Sequence, residues 1–340
     1  MNPSPTDQLL KLTDEEVKRL NVLFLAKYPP KPGAPPPPDI DPLIGRERLT
    51  KWEVYNALET LGLTLSTIET LEDFKTYDGP ANYVFCLFNR ADIRNPETVV
   101  ASLCSQLGLA HLGAPANIRA LAEDKLLTKS IASFAGLPVA PGLAYVDLDD
   151  LAVPPAFEGP YFAKLRFGAN SEGVSSDSVQ PDWKRLSPVI ANMIEAGEEV
   201  LVEPLLSGRD ITVTVLGNHP NIALTPTVFQ SELPHGIATE RQKRLLDGGR
   251  SGQPLDDPAL AETLMGMALR FAEHCKPFDY MRVDFRQTLP DRQLFVLECN
   301  LTSNLGTHAA TGIAIRNDGI AHIDLIEHLV AFSTRRQQVL

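Results

Sequence analysis

The sequence is poor in cysteine, and the few cysteines it has do not form a framework. Its 340 residues include four that are widely scattered and lie in apolar contexts: Cys86, Cys104, Cys275 and Cys299. We therefore expect buried, reduced thiols rather than disulfides. The amino terminus lacks the basic-then-apolar pattern of a signal peptide, and no apolar run approaches the roughly 20 residues that span a bilayer. These absences predict a cytoplasmic protein without a membrane partner.

Basic residues are also in deficit. The chain has 31 Lys and Arg against 43 Asp and Glu, which gives a formal net charge of -12. A general nucleic-acid binder needs a basic face to engage phosphate backbones, so this class is disfavoured. A nucleotide ligand is still compatible with the composition, because a few local lysines can hold a triphosphate. The length and the apolar share of 44% are those of a globular protein with two or three domains.

The first third of the chain alternates strand patterns with helix patterns. Apolar runs at 21–26 and 83–88 indicate buried strands, and helices are predicted over about 48–61 and 96–107. The proline cluster between them, 29–38, is compatible only with an extended surface loop. The alternation predicts an open parallel α/β sheet, whose ligands gather at the carboxyl ends of the strands.

The segment 89–95 leaves one of these strand ends. It is a candidate substrate loop, although an ordinary solvated turn explains its composition equally well. Arg90 and Arg94 within it could grip a carboxylate or another anion, or they could be ordinary surface arginines.

Loops with polar and small residues follow in the middle of the chain. A helix is predicted from Pro115 through Lys129, and a strand at 161–164 leads into a glycine-containing loop at 166–174. Small residues there let backbone amides approach a charged ligand closely, although a plain hairpin turn would have the same composition. Residues 198–217 have the pattern of a strand, a tight turn and a strand.

A long polar segment occupies residues 226–252. Its length and charge are typical of a flexible loop that closes over an active site, or of a solvated excursion without a role.

The stretch 280–300 carries the clearest chemical pattern. Leu289-Pro290-Asp291 interrupts two segments of alternating polarity, which predicts a β-hairpin. The polar face of this hairpin is expected to carry Arg282, Asp284, Arg286, Val296, Glu298 and Asn300. Carboxylates and a carboxamide are hard oxygen ligands of the kind that hold Mg²⁺ while leaving positions for phosphate oxygens. A half-buried hairpin with a solvated polar face is the alternative.

Four motifs in this order resemble those of the ATP-grasp superfamily, most closely the D-alanine–D-alanine ligases. They are ALAEDKLLTK, YFAKLRFGANSEGVS, EEVLVEPLLSGRDITVTVLG, and RVDF followed by FVLECN. The resemblance implies an α/β (α+β) fold in three parts. These would be an amino-terminal open parallel α/β substrate domain (1–113), a central ATP-grasp part (114–205) and a carboxy-terminal part with the metal and oxyanion residues (206–340).

The resemblance also implies how ATP would be held between the second and third parts. Lys125 and Lys164 would contact its phosphates. Glu203 would accept a hydrogen bond from the adenine amino group, and Asp210, where the family usually has glutamate, would hold the ribose.

The catalytic and metal residues follow from the same resemblance. Ser171 and Gly173 would belong to the loop over the transferred phosphate, and Lys243 would be the lysine of the long covering loop 226–252. Two Mg²⁺ ions, or Mn²⁺ in their place, would be bound by Asp284, Glu298 and Asn300, while Arg282 would stabilise an oxyanion.

These expectations describe an ADP-forming carboxylate–amine ligase that works through an acyl phosphate and takes small, amino-acid-like substrates. Three segments depart from the resembling ligases. The chain has 27–33 in place of a glycine-rich loop with a glutamate, 88–94 in place of a histidine-rich loop, and 301–304 in place of a Thr-Ser-Pro-Gly run. We therefore expect substrates other than two D-alanines, in secondary metabolism.

Alternatives to this function stay open. One is an ATP-grasp enzyme with a non-amino-acid nucleophile, and the other is a nucleotide-binding regulatory protein without turnover. A homodimer, common among the resembling ligases, is open as well.

Overall fold

The computed structural model describes residues 4–38, 44–88, 96–168, 171–229, 234–237 and 252–339. Arg90, Arg94 and Lys243 therefore lie outside the described residues, as does most of the covering loop.

The amino-terminal part is built on a parallel sheet flanked by helices. Its strands are β1 (Asn21–Leu25), β2 (Thr64–Ile68), β3 (Tyr83–Cys86) and β4 (Ala110–His111). Its helices are α1 (Asp14–Arg19), α2 (Ile44–Thr60), α3 (Leu71–Lys75) and α4 (Pro96–Gln106). The strand order is β2-β1-β3-β4 with every pair parallel, which confirms the predicted open sheet.

The middle of the chain forms a second, antiparallel sheet with the order β5-β8-β6-β7. Its strands are β5 (Leu143–Tyr145), β6 (Tyr161–Leu165), β7 (Val179–Gln180) and β8 (Val200–Pro204). The accompanying helices are α5 (Ala116–Glu123), α6 (Lys125–Phe134) and α7 (Trp183–Glu195).

The helix predicted through Lys129 is interrupted at Asp124, and this part of the prediction is wrong. Asp124 has an extended backbone, and its Oδ1 accepts the N–H groups of Leu126 and Leu127. The same carboxylate also receives hydrogen bonds from Arg166, which fixes the break. An aspartate that caps a new helix satisfies amides that would otherwise lack partners. As a result α6 begins at Lys125.

The third sheet has the order β12-β11-β9-β13-β14, with β10 paired to β9. Its strands are β9 (Gly208–Leu216), β10 (Ile222–Ala223), β11 (Thr227–Phe229), β12 (Gly252–Pro254), β13 (Tyr280–Thr288) and β14 (Leu294–Asn300). The helices of this part are α8 (Pro258–Glu273), α9 (Ala310–Asn317) and α10 (His322–Arg336).

The strand–turn–strand pattern of 198–217 is confirmed in its elements, but the two strands do not pair with each other. β8 belongs to the second sheet and β9 to the third, so the three residues between them carry the chain from one sheet to the other.

Apolar packing joins the first and third parts. Phe24 and Phe85 of the first sheet share a buried cluster with Leu329 of α10 and with Leu305, which follows β14. Each such side chain contributes about 1.5–3 kcal/mol when it is fully buried. The cluster therefore holds the end of β14 against the amino-terminal sheet.

The thiols behave as expected, since all four cysteines are free and buried. Among the helices of the described ranges, none is both long enough and apolar enough to cross a membrane.

Candidate active site

The hairpin β13–β14 brings the sequence-predicted metal residues together. Asp284 pairs with Glu298, and Arg282 pairs with Asn300, in an antiparallel register. Directly opposed residues on neighbouring strands place their side chains on the same face of the sheet. The convergence expected from the alternating pattern is therefore present.

A β-bulge between the Asp284 and Phe285 pairs changes the faces of the remaining residues. Phe285 pairs with Val296, so Leu297 is the extra residue of β14. Val296 is fully buried in the core, whereas Leu297 lines the cavity together with Glu298. Placing Val296 on the face of Glu298 was wrong, because a bulge reverses the alternation on one strand only.

Asp284 accepts hydrogen bonds from three neighbouring side chains. Nε and Nη2 of Arg282 donate to its two oxygens at 3.0 Å each. Thr212 Oγ1 donates to Oδ1 at 2.8 Å, and Asn300 Nδ2 donates to Oδ2 at 3.3 Å. These four hydrogen bonds fix the orientation of the carboxylate, and a cation bound by Asp284 would take the place of one or more of the donors.

Arg282 is held charged inside this cluster. Burial works against the cation, but the carboxylates of Asp284 and Glu298 outweigh it and raise the pKa of the guanidinium above its ordinary value. A permanently charged, planar donor beside the metal residues suits the stabilisation of a developing oxyanion.

Glu298 also faces the main cavity of the site. The cavity has an empty volume of about 820 Å³ including its open mouth, and residues of the second and third sheets line it. The sequence-predicted residues in its wall are Lys125, Lys164, Ser171, Glu203, Asp210 and Glu298. Four motifs that are distant in sequence thus surround one space large enough for a nucleotide.

Glu203 lines this cavity and is only 3% exposed. Lys164 Nζ lies 2.6 Å from its Oε2, and Lys129 Nζ donates to its Oε1. Burial alone would raise the pKa of Glu203, but the two ammonium groups outweigh that effect and lower it. Glu203 is therefore a carboxylate fixed in direction by two cations. Lys129 was not among the expected site residues, although it lies four positions after Lys125 on the same helix.

Lys125 is placed by the break at Asp124. It is the first residue of α6, and its Nζ donates to the carbonyl oxygen of Gly168 at 2.6 Å. Gly168 has φ +103° and Gly173 has φ +69°, conformations in which glycine is strongly favoured. The lysine thus contacts the start of the small-residue loop whose described part includes Ser171.

Asp210 is paired with an arginine that sequence reasoning did not assign to the site. Arg286 Nη1 donates to Asp210 Oδ1 at 2.6 Å, and Arg286 itself lines the cavity. The alternation of β13 had placed Arg286 on the face of Arg282 and Asp284, and this was the signal that could have found it.

The loop that follows β14 connects the site to α2. Glu53 accepts hydrogen bonds from the N–H of Thr307 at 2.9 Å and from its hydroxyl at 2.6 Å. Thr50 Oγ1 donates to Asn304 Oδ1 at 3.2 Å. Burial lowers the pKa of the neighbouring His308. The segment after the residues predicted to bind metal is therefore anchored on the amino-terminal part.

The donor set fits a divalent cation shared with phosphate oxygens. Within the described ranges, no group of three or more His, Cys, Asp or Glu side chains forms a complete metal site. Asp284, Glu298 and the amide of Asn300 provide hard oxygens, and an ion with so few protein ligands takes the rest from phosphates and water. Lys125 and Lys164, which also line the cavity, fit an anionic triphosphate in the same way.

The chain is similar in sequence to known proteins. The family model described as D-ala D-ala ligase C-terminus matches residues 157–331. The chain is 27% identical over 288 residues to a D-alanine–D-alanine ligase of Desulfovibrio desulfuricans, covering 81% of this chain and 88% of that one.

Two solved structures share the fold. A D-alanine–D-alanine ligase from Bacillus anthracis complexed with ATP superimposes with a TM-score of 0.69 at 16% identity, over 94% of this chain and 99% of that one. The VanG D-Ala:D-Ser ligase from Enterococcus faecalis gives a TM-score of 0.70 at 14% identity, over 92% and 99%.

Proposed function

Since this chain belongs to the D-alanine–D-alanine ligase family of ATP-grasp enzymes, which form C–N bonds, we propose that it joins amino acids or closely related small molecules other than two D-alanines. The observation that carries this proposal is the shared cavity. Its wall combines Lys125 and Lys164 with Glu298 of the metal cluster, so a triphosphate held by the lysines would reach the metal residues.

We assign the nucleotide to the space between residues 114–205 and 206–340. Glu203 and Asp210 stand on either side of the connection between the second and third sheets, where they would accept from the base and the ribose. Lys125 and Lys164 would face the phosphates, with the loop of Ser171 and Gly173 beside them. Two magnesium ions bound by Asp284, Glu298 and Asn300 would neutralise the phosphate oxygens.

The residues account for an acyl-phosphate route. A carboxylate is a poor electrophile, so it would first accept the γ-phosphoryl group of ATP as ADP leaves. The amine would then attack the carbonyl carbon of the acyl phosphate, losing a proton to solvent as inorganic phosphate leaves. Arg282 would donate to the oxygen on which negative charge develops. A covering segment, in which Lys243 is the proposed lysine, would keep water from the acyl phosphate.

Two features of the described chain support substrates different from D-alanine. The proline-rich segment is folded onto α2, where Trp52 Nε1 donates to Ala34 O at 2.7 Å and Gly33 N donates to the carboxylate of Glu59. The segment that stands in place of the glycine-rich loop is therefore held against α2. Beyond the metal residues, Asn304 contacts Thr50 with its side chain, which no glycine could do.

Synthesis of D-alanyl-D-alanine is the second candidate, and the names of the curated relatives favour it. An ATP-grasp enzyme with another nucleophile and a regulatory protein without turnover are further outcomes. The last is disfavoured because Arg282, Asp284, Glu298 and Asn300 are all present and adjacent.

The decisive experiment is an ADP-release screen with ATP, Mg²⁺ and pairs of amino acids of both configurations, D-alanine included. We expect turnover with a pair other than two D-alanines. Glu298→Gln should abolish turnover while the protein stays folded, because it removes a charged ligand for the metal. Glu262→Gln, an exposed change on α8, is the matched control and should keep the wild-type rate.

Turnover by D-alanine alone would decide for the second candidate. ATP binding without turnover on any pair would contradict the main proposal and leave two candidates, the enzyme with another nucleophile and the regulatory protein. A wild-type rate in Glu298→Gln would remove the metal assignment.

A further inference from the structure

We propose that Arg286 is a positioning residue that fastens the segment Pro234–Ile237 to the ribose side of the nucleotide cavity and so sets affinity and ribose selectivity. The segment Pro234–Ile237 is the described part of the chain between β11 and β12. This inference rests on the proposed function, specifically on Asp210 as the acceptor for the ribose.

Arg286 is bonded to three separate parts of the chain. It is 3% exposed and lies on β13, on the same face as Arg282 and Asp284. Its Nε donates to Leu206 O at 2.8 Å, and its Nη1 donates to Asp210 Oδ1 at 2.6 Å and to Gly236 O at 3.0 Å. Its Nη2 donates to His235 O.

These bonds leave Arg286 little capacity for a ligand of its own. A guanidinium has five N–H donors in a rigid planar arrangement. Arg286 makes four hydrogen bonds to the protein through Nε, Nη1 and Nη2. Although the residue lines the cavity, it therefore acts through the groups that it holds. These are the carboxylate of Asp210 and the backbone of the segment Pro234–Ile237.

The segment is seated closely on the connection between β8 and β9. His235 and Gly236 both have positive φ, at 64° and 69°, which turns their carbonyl oxygens toward Arg286. Ser207 Oγ lies 3.0 Å from His235 Nδ1. A Cβ on Gly236 would overlap the carbonyl oxygen of Gly208, so only glycine permits this approach.

The segment Pro234–Ile237 also forms part of the cavity wall, so its attachment to Arg286 would affect the bound nucleotide. Ile237 lines the cavity together with Asp210 and Arg286. The arginine thus fixes one oxygen of the ribose acceptor and, through two carbonyl oxygens, the apolar residue that forms the adjacent wall. If Arg286 is removed, the segment that carries Ile237 and the carboxylate of Asp210 both lose the hydrogen bonds that hold them in place.

The test compares Arg286→Met and Arg286→Lys with Gly236→Ala, which displaces the segment without altering the arginine. Arg292→Met is the matched control, because Arg292 lies on the same hairpin, 58% of its side chain is exposed, and it pairs only with the surface residue Asp257 in the described structure. Hydrogen exchange of peptides containing 234–237 is measured without nucleotide. Titration calorimetry then gives the Kd of ATP and of 2′-deoxy-ATP with Mg²⁺.

We expect faster exchange and a Kd for ATP about tenfold or more higher in Arg286→Met and Gly236→Ala, since charge-assisted hydrogen bonds of this kind carry roughly a factor of ten. The preference for ATP over 2′-deoxy-ATP should fall toward one. Arg286→Lys should lie between these variants and wild type, and Arg292→Met should match wild type. Gly236→Ala keeps Arg286, so it serves if Arg286→Met does not fold.

An unchanged ratio of the two dissociation constants, or unchanged exchange, would overturn the inference, while wild-type ATP binding would still support the nucleotide site on which the proposed function depends. A wild-type protein that binds no ATP would overturn both the inference and the proposed function, because the cavity would then not be a nucleotide site.

Discussion

Arg282 and Asp284, two positions apart on one face of β13, form a bidentate pair in which Nε and Nη2 each lie 3.0 Å from a carboxylate oxygen. The residue proposed to stabilise the oxyanion is therefore bonded directly to a residue proposed to hold the metal. Planar geometry makes this pair specific to arginine, because an ammonium group cannot donate to both oxygens in one plane.

Replacing Arg282 with lysine should lower kcat by about a hundredfold or more, on the order of 3 kcal/mol of barrier, with a smaller change in the KM for ATP. Lysine keeps the positive charge, but it lacks the planar guanidinium that would donate to both Asp284 and the oxyanion. Steady-state kinetics with the substrate pair found in the screen gives both constants. Arg292→Lys is the control on the same hairpin, and an equal effect in the two variants would contradict the assignment.

Lys129→Met should weaken nucleotide binding and lower stability. The variant leaves the buried carboxylate of Glu203 with one ammonium partner instead of two. We expect a higher KM for ATP at nearly unchanged kcat, and a free energy of unfolding lower by about 1–3 kcal/mol. The folded-state pKa of Glu203 is lowered, so its contribution is present above the unfolded pKa and is lost as pH falls through the folded one.

Denaturant unfolding of the wild type and of Lys129→Met, at neutral pH and at pH 4, gives the loss in free energy of unfolding and its dependence on pH. Lys276→Met breaks an exposed lysine–glutamate pair of 2.6 Å and should change stability by less than about 0.5 kcal/mol. A KM for ATP that stays at the wild-type value in Lys129→Met would show that the second lysine is dispensable to the nucleotide site.

His328 should make the protein sensitive to mild acid. Its Nδ1 accepts from the N–H of Leu10 at 2.9 Å and its Nε2 donates to Gly217 O at 3.0 Å, so the neutral ring ties the amino-terminal segment to the third part. Burial, with a smaller effect from Lys11, lowers the pKa of His328 to about 4. The stabilisation is complete above the ordinary pKa near 6.5 and is lost as pH falls through 4.

The free energy of unfolding of the wild type should therefore fall between pH 6.5 and pH 4. His328→Gln, which cannot gain a proton there, should show a shallower slope over the same interval. His111 has a pKa lowered to about 4 by burial and titrates in the same range, so part of the slope should persist. Identical slopes in the wild type and the variant would contradict the role of His328.

The sequence predicts most of the regular structure, because hydrophobic periodicity and turn residues are local signals. The hairpin over 280–300, the helix beginning at Pro96 and the parallel amino-terminal sheet are confirmed. The helix predicted over about 48–61 starts earlier, at Ile44. The apolar periodicity that predicts a helix is less marked in its first turn, so the predicted start of α2 is too late.

What the sequence does not reveal depends on tertiary contacts. The bulge that exposes Leu297 leaves the alternation of the letters intact, so only strand pairing shows it. The break at Asp124 is fixed by Arg166, which lies 42 residues away. Lys129 and Arg286 belong to the site because they pair with Glu203 and Asp210, which lie far from them in sequence. A single sequence does not reveal such pairs. The positions of the proposed ligand contacts remain predictions.

The three residues 205–207 that carry the chain from one sheet to the next are held on both sides. Leu205 N donates to Pro160 O at 2.7 Å, Leu206 O accepts from Arg286, and Ser207 O accepts from Leu289 N at 3.0 Å. This connection therefore fixes the separation between the carboxylates of Glu203 and Asp210. A chain one residue longer here would still fold its two sheets, yet Glu203 and Asp210 would no longer be spaced for the base and the ribose that we propose they bind.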